Sequence, residues 1–176
     1  MGLDEYVSRK SIRSEKTAAT YLGALRLWGR SLKAEPEALV QKIKSGELDP
    51  YEVLNGFIAF MVKSGKSPKT TWTYYGALKD FLVSEDVALD AMRLKAKITL
   101  PARYEISTDR APTHDEVKKI MMHSALQGKV VISMLASSGM RIGELASLRV
   151  GDIEFGNPTK IRVKARATKT KKSRVV

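Results

Sequence analysis

The chain has no cysteine and only two histidines among its 176 residues. That excludes disulfides, thiolate zinc sites and thiol nucleophiles, and leaves almost nothing for a histidine-based metal site. No run approaches the roughly 18 uninterrupted apolar residues of a membrane span, and the opening MGLDEYVSRK lacks the apolar stretch of a secretory signal. The expectation is a cytoplasmic protein with no membrane partner and no metal. Acid is scarce as well: 31 Lys and Arg face 19 Asp and Glu, a formal net charge of +12. Such an excess favours a polyanionic partner, nucleic acid ahead of an anionic membrane surface.

What is present is enough apolar residue, 43%, to build a real core. SEKTAATYLGALRLWGRSL sets Ala18, Tyr21, Leu22, Leu25 and Trp28 at helical spacing behind Ser14 as an N-cap, which predicts a helix over 14–32. A short helix over 37–44 follows. Pro50 suits the first turn of a third helix whose inner face carries Leu54, Phe57, Ile58 and Met61. Ser67 and Pro68 open a fourth, with Tyr75, Leu78, Phe81 and Leu82 pointing inward. Trp28, Tyr75 and Phe81 sit at core spacings rather than where they would stack on bases.

Periodicity then weakens from Asp86 to Ala111, although VALDAMRL has room for a helical turn or two. This divides the chain into a helical domain over 1–95, a linker over 96–111 and a second domain over 112–176. Thr113 and Glu116 have capping-box spacing, so a helix through Leu126 is expected, and GKVVISMLASSGM reads as a buried helix that stops where Gly139 takes a left-handed cap. Beyond Leu148 the pattern becomes that of a small antiparallel sheet. Residues 160–176 hold eight Lys or Arg and no acid, and the sequence stops at RVV in mid-strand, which reads as a domain cut short.

Residues 137–148, SSGMRIGELASL, place an arginine just past a Ser-Ser-Gly turn in apolar surroundings. Taken with LRVGDIEF, the stretch resembles the first catalytic arginine box of the tyrosine recombinases, the phage and archaeal integrase group. The matching residues are Ser138, Gly139, Met140, Arg141, Glu144, Leu145, Leu148, Asp152 and Ile153. ATKTKKSRVV is similar to that family's lysine hairpin: aligning on Arg174 puts the catalytic lysine at Lys169, with Lys171 and Lys172 as alternatives. SEKTAATYLGALRLWGRSL and SGKSPKTTWTYYGALKDFLVS resemble two helices of the family's core-binding domain. The order of these segments is more specific than any one of them.

The resemblance implies a mainly α fold: a helical SAM-like core-binding bundle, then a truncated α+β catalytic domain with a small antiparallel sheet. It implies a double-stranded DNA partner, self-association on DNA and no cofactor. In the family a tyrosine attacks a phosphodiester and stores the bond energy as a phosphotyrosyl link. Charge on the phosphorane oxygens needs fixed cations, and a guanidinium offers two parallel donors, the role implied for Arg141. The hairpin lysine would protonate the departing 5′ oxygen. Glu144 would hold the arginine or its helix by a hydrogen bond. DNA contacts are expected from Lys63, Lys66, Lys69, Thr70, Thr71, Tyr74 and Lys79 in the bundle, joined by Thr73, and from Lys171, Lys172 and Arg174 in the hairpin.

Each assignment has a plainer alternative. Arg141 and Glu144 at i,i+3 could be a surface ion pair, and the lysine hairpin an edge strand protected by charge. His114 and His123 lack an Arg three positions on and receive no chemistry. All six tyrosines precede Arg141, so the family's nucleophile and second arginine have no counterpart, and the chain is expected to bind DNA without cleaving it. A type IB topoisomerase uses related chemistry, but the helical first half favours site-specific recombination. The rivals are a non-enzymatic DNA-binding regulator with a structural Arg141 and a basic RNA-binding protein.

Overall fold

The computed structural model describes residues 2–102, 110–165, 168 and 172–176. The chain forms two compact units, Met1–Thr108 and Asp109–Val176. Its helices dominate, and the strands form one small sheet. No described helix is long and apolar enough to cross a membrane.

The first unit is a bundle of α1 (Leu3–Arg13), α2 (Glu15–Leu32), α3 (Pro36–Lys44), α4 (Pro50–Lys63), α5 (Pro68–Ser84) and α6 (Ala91–Lys97). Side-chain caps fix most of the starts. Ser14 accepts from the Thr17 N–H, Asp49 from Tyr51, Ser67 from Thr70 and Asp90 from Arg93, each satisfying a donor the helix leaves open. Pro36, Pro50 and Pro68 occupy first turns, where a missing N–H costs nothing. Leu25, Trp28, Leu54, Met61, Leu78, Phe81 and Leu82 are wholly buried and form the centre of the core. Tyr75 is only partly buried at its edge. At the end of α2, Lys33 takes a left-handed conformation (φ 53°) and the chain doubles back so closely that a Cβ on Gly29 would lie 2.7 Å from the Ala34 carbonyl oxygen.

Two features of this unit differ from the sequence reading. Helix α1 was not expected, because its one buried residue, Tyr6, gives no repeating apolar stripe. The chain past Asp86 is also more ordered than its weak periodicity suggests. Val87 joins the core, α6 forms, and residues 96 and 97, assigned to a connector, end that helix. Asn55 brackets the segment that follows, its amide donating to the Lys97 carbonyl (2.6 Å) and its carbonyl accepting from the Thr99 N–H (3.3 Å). The Trp72 indole donates to the Pro101 carbonyl at 3.0 Å.

The second unit holds α7 (His114–His123), α8 (Leu126–Ser138), the single turn α9 (Ile142–Leu145), a 3-10 turn at Val150–Asp152, and strands β1 (Ile153–Glu154), β2 (Lys160–Val163) and β3 (Arg174–Val175). The sheet is antiparallel in the order β1-β2-β3, with Ile153 opposite Ile161 and Val163 opposite Arg174. Its small core comprises Met140, Ile161 and Val163, packed by Met134, Leu135, Leu145, Leu148 and Val176.

The expected capping box forms: Thr113 accepts from Glu116 N–H, and Glu116 accepts from Thr113 N–H at 2.8 Å. The helix ends at His123 rather than running through Leu126, because the Ser124 hydroxyl turns back onto the Ile120 carbonyl and the backbone becomes extended. Helix α8 is not a buried helix. None of its residues is buried, Val130 is half-exposed, and only Met134 and Leu135 reach the small core from its last turns.

Candidate functional site

The arginine segment begins where α8 stops. Gly139 takes φ 62°, a left-handed cap that glycine adopts without strain. The Ser138 hydroxyl donates to the Met134 carbonyl, and Met140 turns into the core. Anchored by that buried methionine, the chain re-enters helix at α9 with Arg141 as its N-cap, in extended conformation. Arginine has no acceptor to offer, so only the return half of a capping box is made. Glu144 Oε2 accepts the Arg141 backbone N–H at 2.8 Å.

Glu144 is the hub of this site. Its side chain is 1% exposed, whereas that of Arg141 is 63% exposed. Arg174, on β3, grips the carboxylate with both terminal nitrogens, Nη1 to Oε1 at 3.1 Å and Nη2 to Oε2 at 2.8 Å. The Arg141 guanidinium makes one longer contact, Nη1 to Oε1 at 3.3 Å. Together these donors, the Arg174 fork first and the Arg141 backbone N–H next, hold the Glu144 carboxyl down to about 2 against the opposing effect of its own desolvation. The acid therefore faces inward and stays ionised, while the arginine beside it faces solvent.

A second segment repeats the pattern eight residues later. Arg149 caps the 3-10 turn, and its N–H donates to Asp152 Oδ2 at 3.1 Å. The buried Asp152 carboxylate is met by Lys164, from just beyond β2, at 2.5 Å. Lys164 is the main cause of its lowered pKa. Arg-x-x-acid, with a buried carboxylate stapled by a cation from the sheet, thus occurs twice in succession. Sequence reasoning gave no role to Arg149 or Lys164, although the three-residue spacing of Arg149 and Asp152 is visible in the sequence.

Of the hairpin residues, Lys169 and Lys171 lie outside the described residues. Lys172 is exposed, and its backbone N–H donates to Thr168 Oγ1 at 3.1 Å. The structure thus brings together Arg141, Glu144 and Arg174, with Lys172 two positions before the last. His114 is exposed on α7 and His123 Nδ1 lies 2.9 Å from the Lys119 carbonyl oxygen; no group of three metal-ligating side chains occurs among the described residues.

In the first unit, Lys63, Lys66 and Lys69 are exposed around the α4–α5 loop. Thr70 is half-buried with its hydroxyl 2.9 Å from that of Ser67. Thr73 is exposed and donates to the Lys69 carbonyl. Tyr74 packs on the core with its hydroxyl over Gly23 of α2, and the Lys79 amine lies 6.0 Å from the Tyr75 ring centroid. Thr71 is a correction. It is 0% exposed and its hydroxyl donates to the Ser67 carbonyl, so it braces the start of α5 and cannot meet a phosphate. The unexpected α1 adds basic residues that the sequence reading missed. Arg9, Lys10 and Arg13 line a surface hollow with Asp80 and Ser84, and the Lys10 amine is held on Asp80 at 2.6 Å.

Comparison with known proteins locates this arrangement. Residues 111–176 match the phage integrase family. The chain is 31% identical over 100 residues to tyrosine recombinase XerA of Pyrococcus horikoshii, covering 56% of this chain and 33% of that protein. It is 27% identical over 161 residues to tyrosine recombinase XerC of Mycobacterium sp. strain JLS, covering 86% and 52%. With XerA of Thermococcus kodakarensis it shares 26% identity over 113 residues, covering 62% and 38%. The chain thus spans between a third and about half the length of the curated relatives it matches.

Proposed function

From the match of residues 111–176 to the phage integrase family and the similarity to tyrosine recombinases, we propose that this chain is a member of the tyrosine recombinase family, that it binds double-stranded DNA and that it carries the arginine-bearing part of a site that cuts and rejoins strands through a 3′-phosphotyrosyl bond. The observation that carries the reading is the opposed orientation of one pair: Arg141 outward, its carboxylate partner Glu144 buried. The carboxylate is already gripped by the two-bond fork of Arg174, and Arg141 spends only one long side-chain contact on it. An outward guanidinium on a rigid base can meet two phosphate oxygens with parallel donors and never loses its charge. As a phosphorane forms, such a preorganised cation stabilises the transition state more than the ground state.

The remaining parts are assigned by the same logic. Lys169, or Lys171 or Lys172, is proposed as the general acid for the departing 5′ oxygen. The exposed Lys63, Lys66 and Lys69 bind backbone phosphates and set affinity without reading sequence. Relatives from archaea and bacteria suit action on DNA in a prokaryotic cytoplasm. Tyr6 and Tyr51, both buried in the first unit, hold α1 and α6 in place, and no tyrosine follows Arg141 in the sequence. The 176-residue chain should accordingly bind duplex DNA and leave it intact.

The test is a gel-shift series with duplex DNA, matched RNA and a nicked suicide duplex. Binding that prefers duplex DNA, with no protein–DNA adduct surviving denaturation, is the expected result. A covalent adduct would overturn the division of labour proposed for this chain, and a preference for RNA would overturn the DNA reading itself.

A further inference from the structure

We propose that Arg174 is a positioning residue for Arg141, acting through Glu144 rather than contacting DNA itself. The inference rests on the recombinase reading only for what Arg141 binds. The arrangement is carried by the geometry.

A carboxylate has about four acceptor sites. Those of Glu144 are all used: Oε2 by the Arg141 N–H and Arg174 Nη2, Oε1 by Arg174 Nη1 and Arg141 Nη1. At 1% exposure no water can replace a lost partner. The two arginines are not equivalent. Arg174 has the paired, parallel geometry, and its backbone is fixed in β3 opposite Val163. Arg141 has one long side-chain contact and a mostly exposed guanidinium. Arg174 is therefore the anchor, and Arg141 is the member left able to take a phosphate.

Removing Arg174 strips the buried carboxylate of both forked bonds. Glu144 must then reorient or take up a proton, and either change releases the N–H that fixes the start of α9 and the aim of Arg141. Arg174 also follows Lys172 by two residues, so the strand that leaves the lysine turn is the strand that sets the arginine. The hairpin and the arginine box are thus joined through one buried acid.

A brace that merely stabilises the unit is distinguished by a matched control. Lys164 staples Asp152 in the same manner without touching Glu144. With the 176-residue chain, duplex affinity is measured by fluorescence anisotropy on a labelled random-sequence duplex for Arg141→Ala alone and in the Arg174→Met, Arg174→Lys and Lys164→Met backgrounds. In parallel, NMR follows hydrogen exchange at the Arg141 amide and the titration of the Glu144 carboxyl.

Arg141→Ala should weaken binding by about tenfold in the wild-type and Lys164→Met backgrounds and by less than about twofold with Arg174→Met, Arg174→Lys falling between. Exchange at the Arg141 amide should quicken at least about tenfold in Arg174→Met and not in Lys164→Met. An undiminished Arg141→Ala effect in Arg174→Met, or equal changes in both staple variants, overturns the proposal. Should Arg174→Met fail to fold, Arg174→Lys decides by the same criteria. If Arg141→Ala leaves wild-type binding unchanged, the DNA reading fails, and the amide and carboxyl measurements still decide whether Arg174 sets Arg141.

Discussion

Tyr6 and Asp80, 74 residues apart, share a hydrogen bond of 2.5 Å that ties the first helix to the fifth. The Tyr6 ring packs edge-on against Phe81 with centroids 5.1 Å apart, and Lys10 reaches the same Asp80 oxygen from one turn further along α1. Tyr6→Phe keeps the packing and loses only the bond, for an expected cost of about 1–2 kcal/mol in urea unfolding. Tyr6→Ala also empties a core site and should cost about 3–5 kcal/mol. Equal losses for the two variants would show that the hydrogen bond contributes nothing.

That contact also explains why α1 escaped the sequence reading. LDEYVSRKSIR holds one buried side chain, so its helix is fixed by an aromatic ring, a bond to a distant acid and the Leu3 N–H donating to Glu37. None of these leaves a periodic signal. Where the signal was local the reading succeeded: the caps at Ser14, Ser67 and Thr113, the prolines behind their caps and the left-handed Gly139 all follow from chemistry within a few residues. The apolar run of α8 suggests burial that the fold does not provide, because hydrophobicity says what a side chain would prefer, not whether a neighbour comes to cover it.

Two helical glycines should respond in opposite directions to alanine. At Gly29 the added Cβ would meet the Ala34 carbonyl oxygen at 2.7 Å and Pro36 Cδ at 3.3 Å, so Gly29→Ala should destabilise by about 1–3 kcal/mol. Gly56 in α4 has open space around it, and Gly56→Ala should stabilise by about 0.5–1 kcal/mol through helix propensity alone. Thermal melts of the two variants settle the signs.

Acid should weaken the second unit through Glu144. Its carboxyl titrates at about 2 in the folded chain against an ordinary 4.5, so between these values the unfolded chain binds a proton that the folded chain does not. The contribution is complete above about pH 5 and is lost as pH falls toward about 2. Glu116 is lowered similarly by Arg110, but that pair is exposed and should weaken with salt. Melts in high salt should therefore retain the Glu144 dependence, and Glu144→Gln should be less stable at neutral pH with a flatter acid limb. An unchanged acid limb in Glu144→Gln would assign the effect elsewhere.

The lysines of the α4–α5 loop make a quantitative claim about DNA. Each phosphate contact contributes about 0.9 to the slope of log affinity against log salt, so replacing Lys63, Lys66 and Lys69 together by Gln should flatten that slope by up to about 2.7. All three are exposed, so the melting temperature should barely move. A parallel loss at every salt concentration, with no change of slope, would remove them from the interface.

Within the candidate site, Arg141 and Glu144 were legible because a three-residue spacing on one turn is a local relation. Arg174 was legible as a cation but not as a partner: only the antiparallel register that sets it opposite Val163 brings it to an acid 30 residues earlier. The pairing of Lys164 with Asp152 was hidden for the same reason, since sheet register is fixed by packing that a linear pattern does not carry.

The uneven packing of the two units has a consequence in time. Helices α2, α4 and α5 are joined through a core of wholly buried side chains, so their amide hydrogens should be released only when the bundle opens as a whole. Helices α7 and α8 bury no residue, and Ile120, Met122, Leu126 and Val130 stand in solvent, so small openings suffice there. One chain thus runs two clocks. Within the second unit the Glu144 staple ties α9 to β3 and should make the arginine turn slower to exchange than the longer helices that precede it.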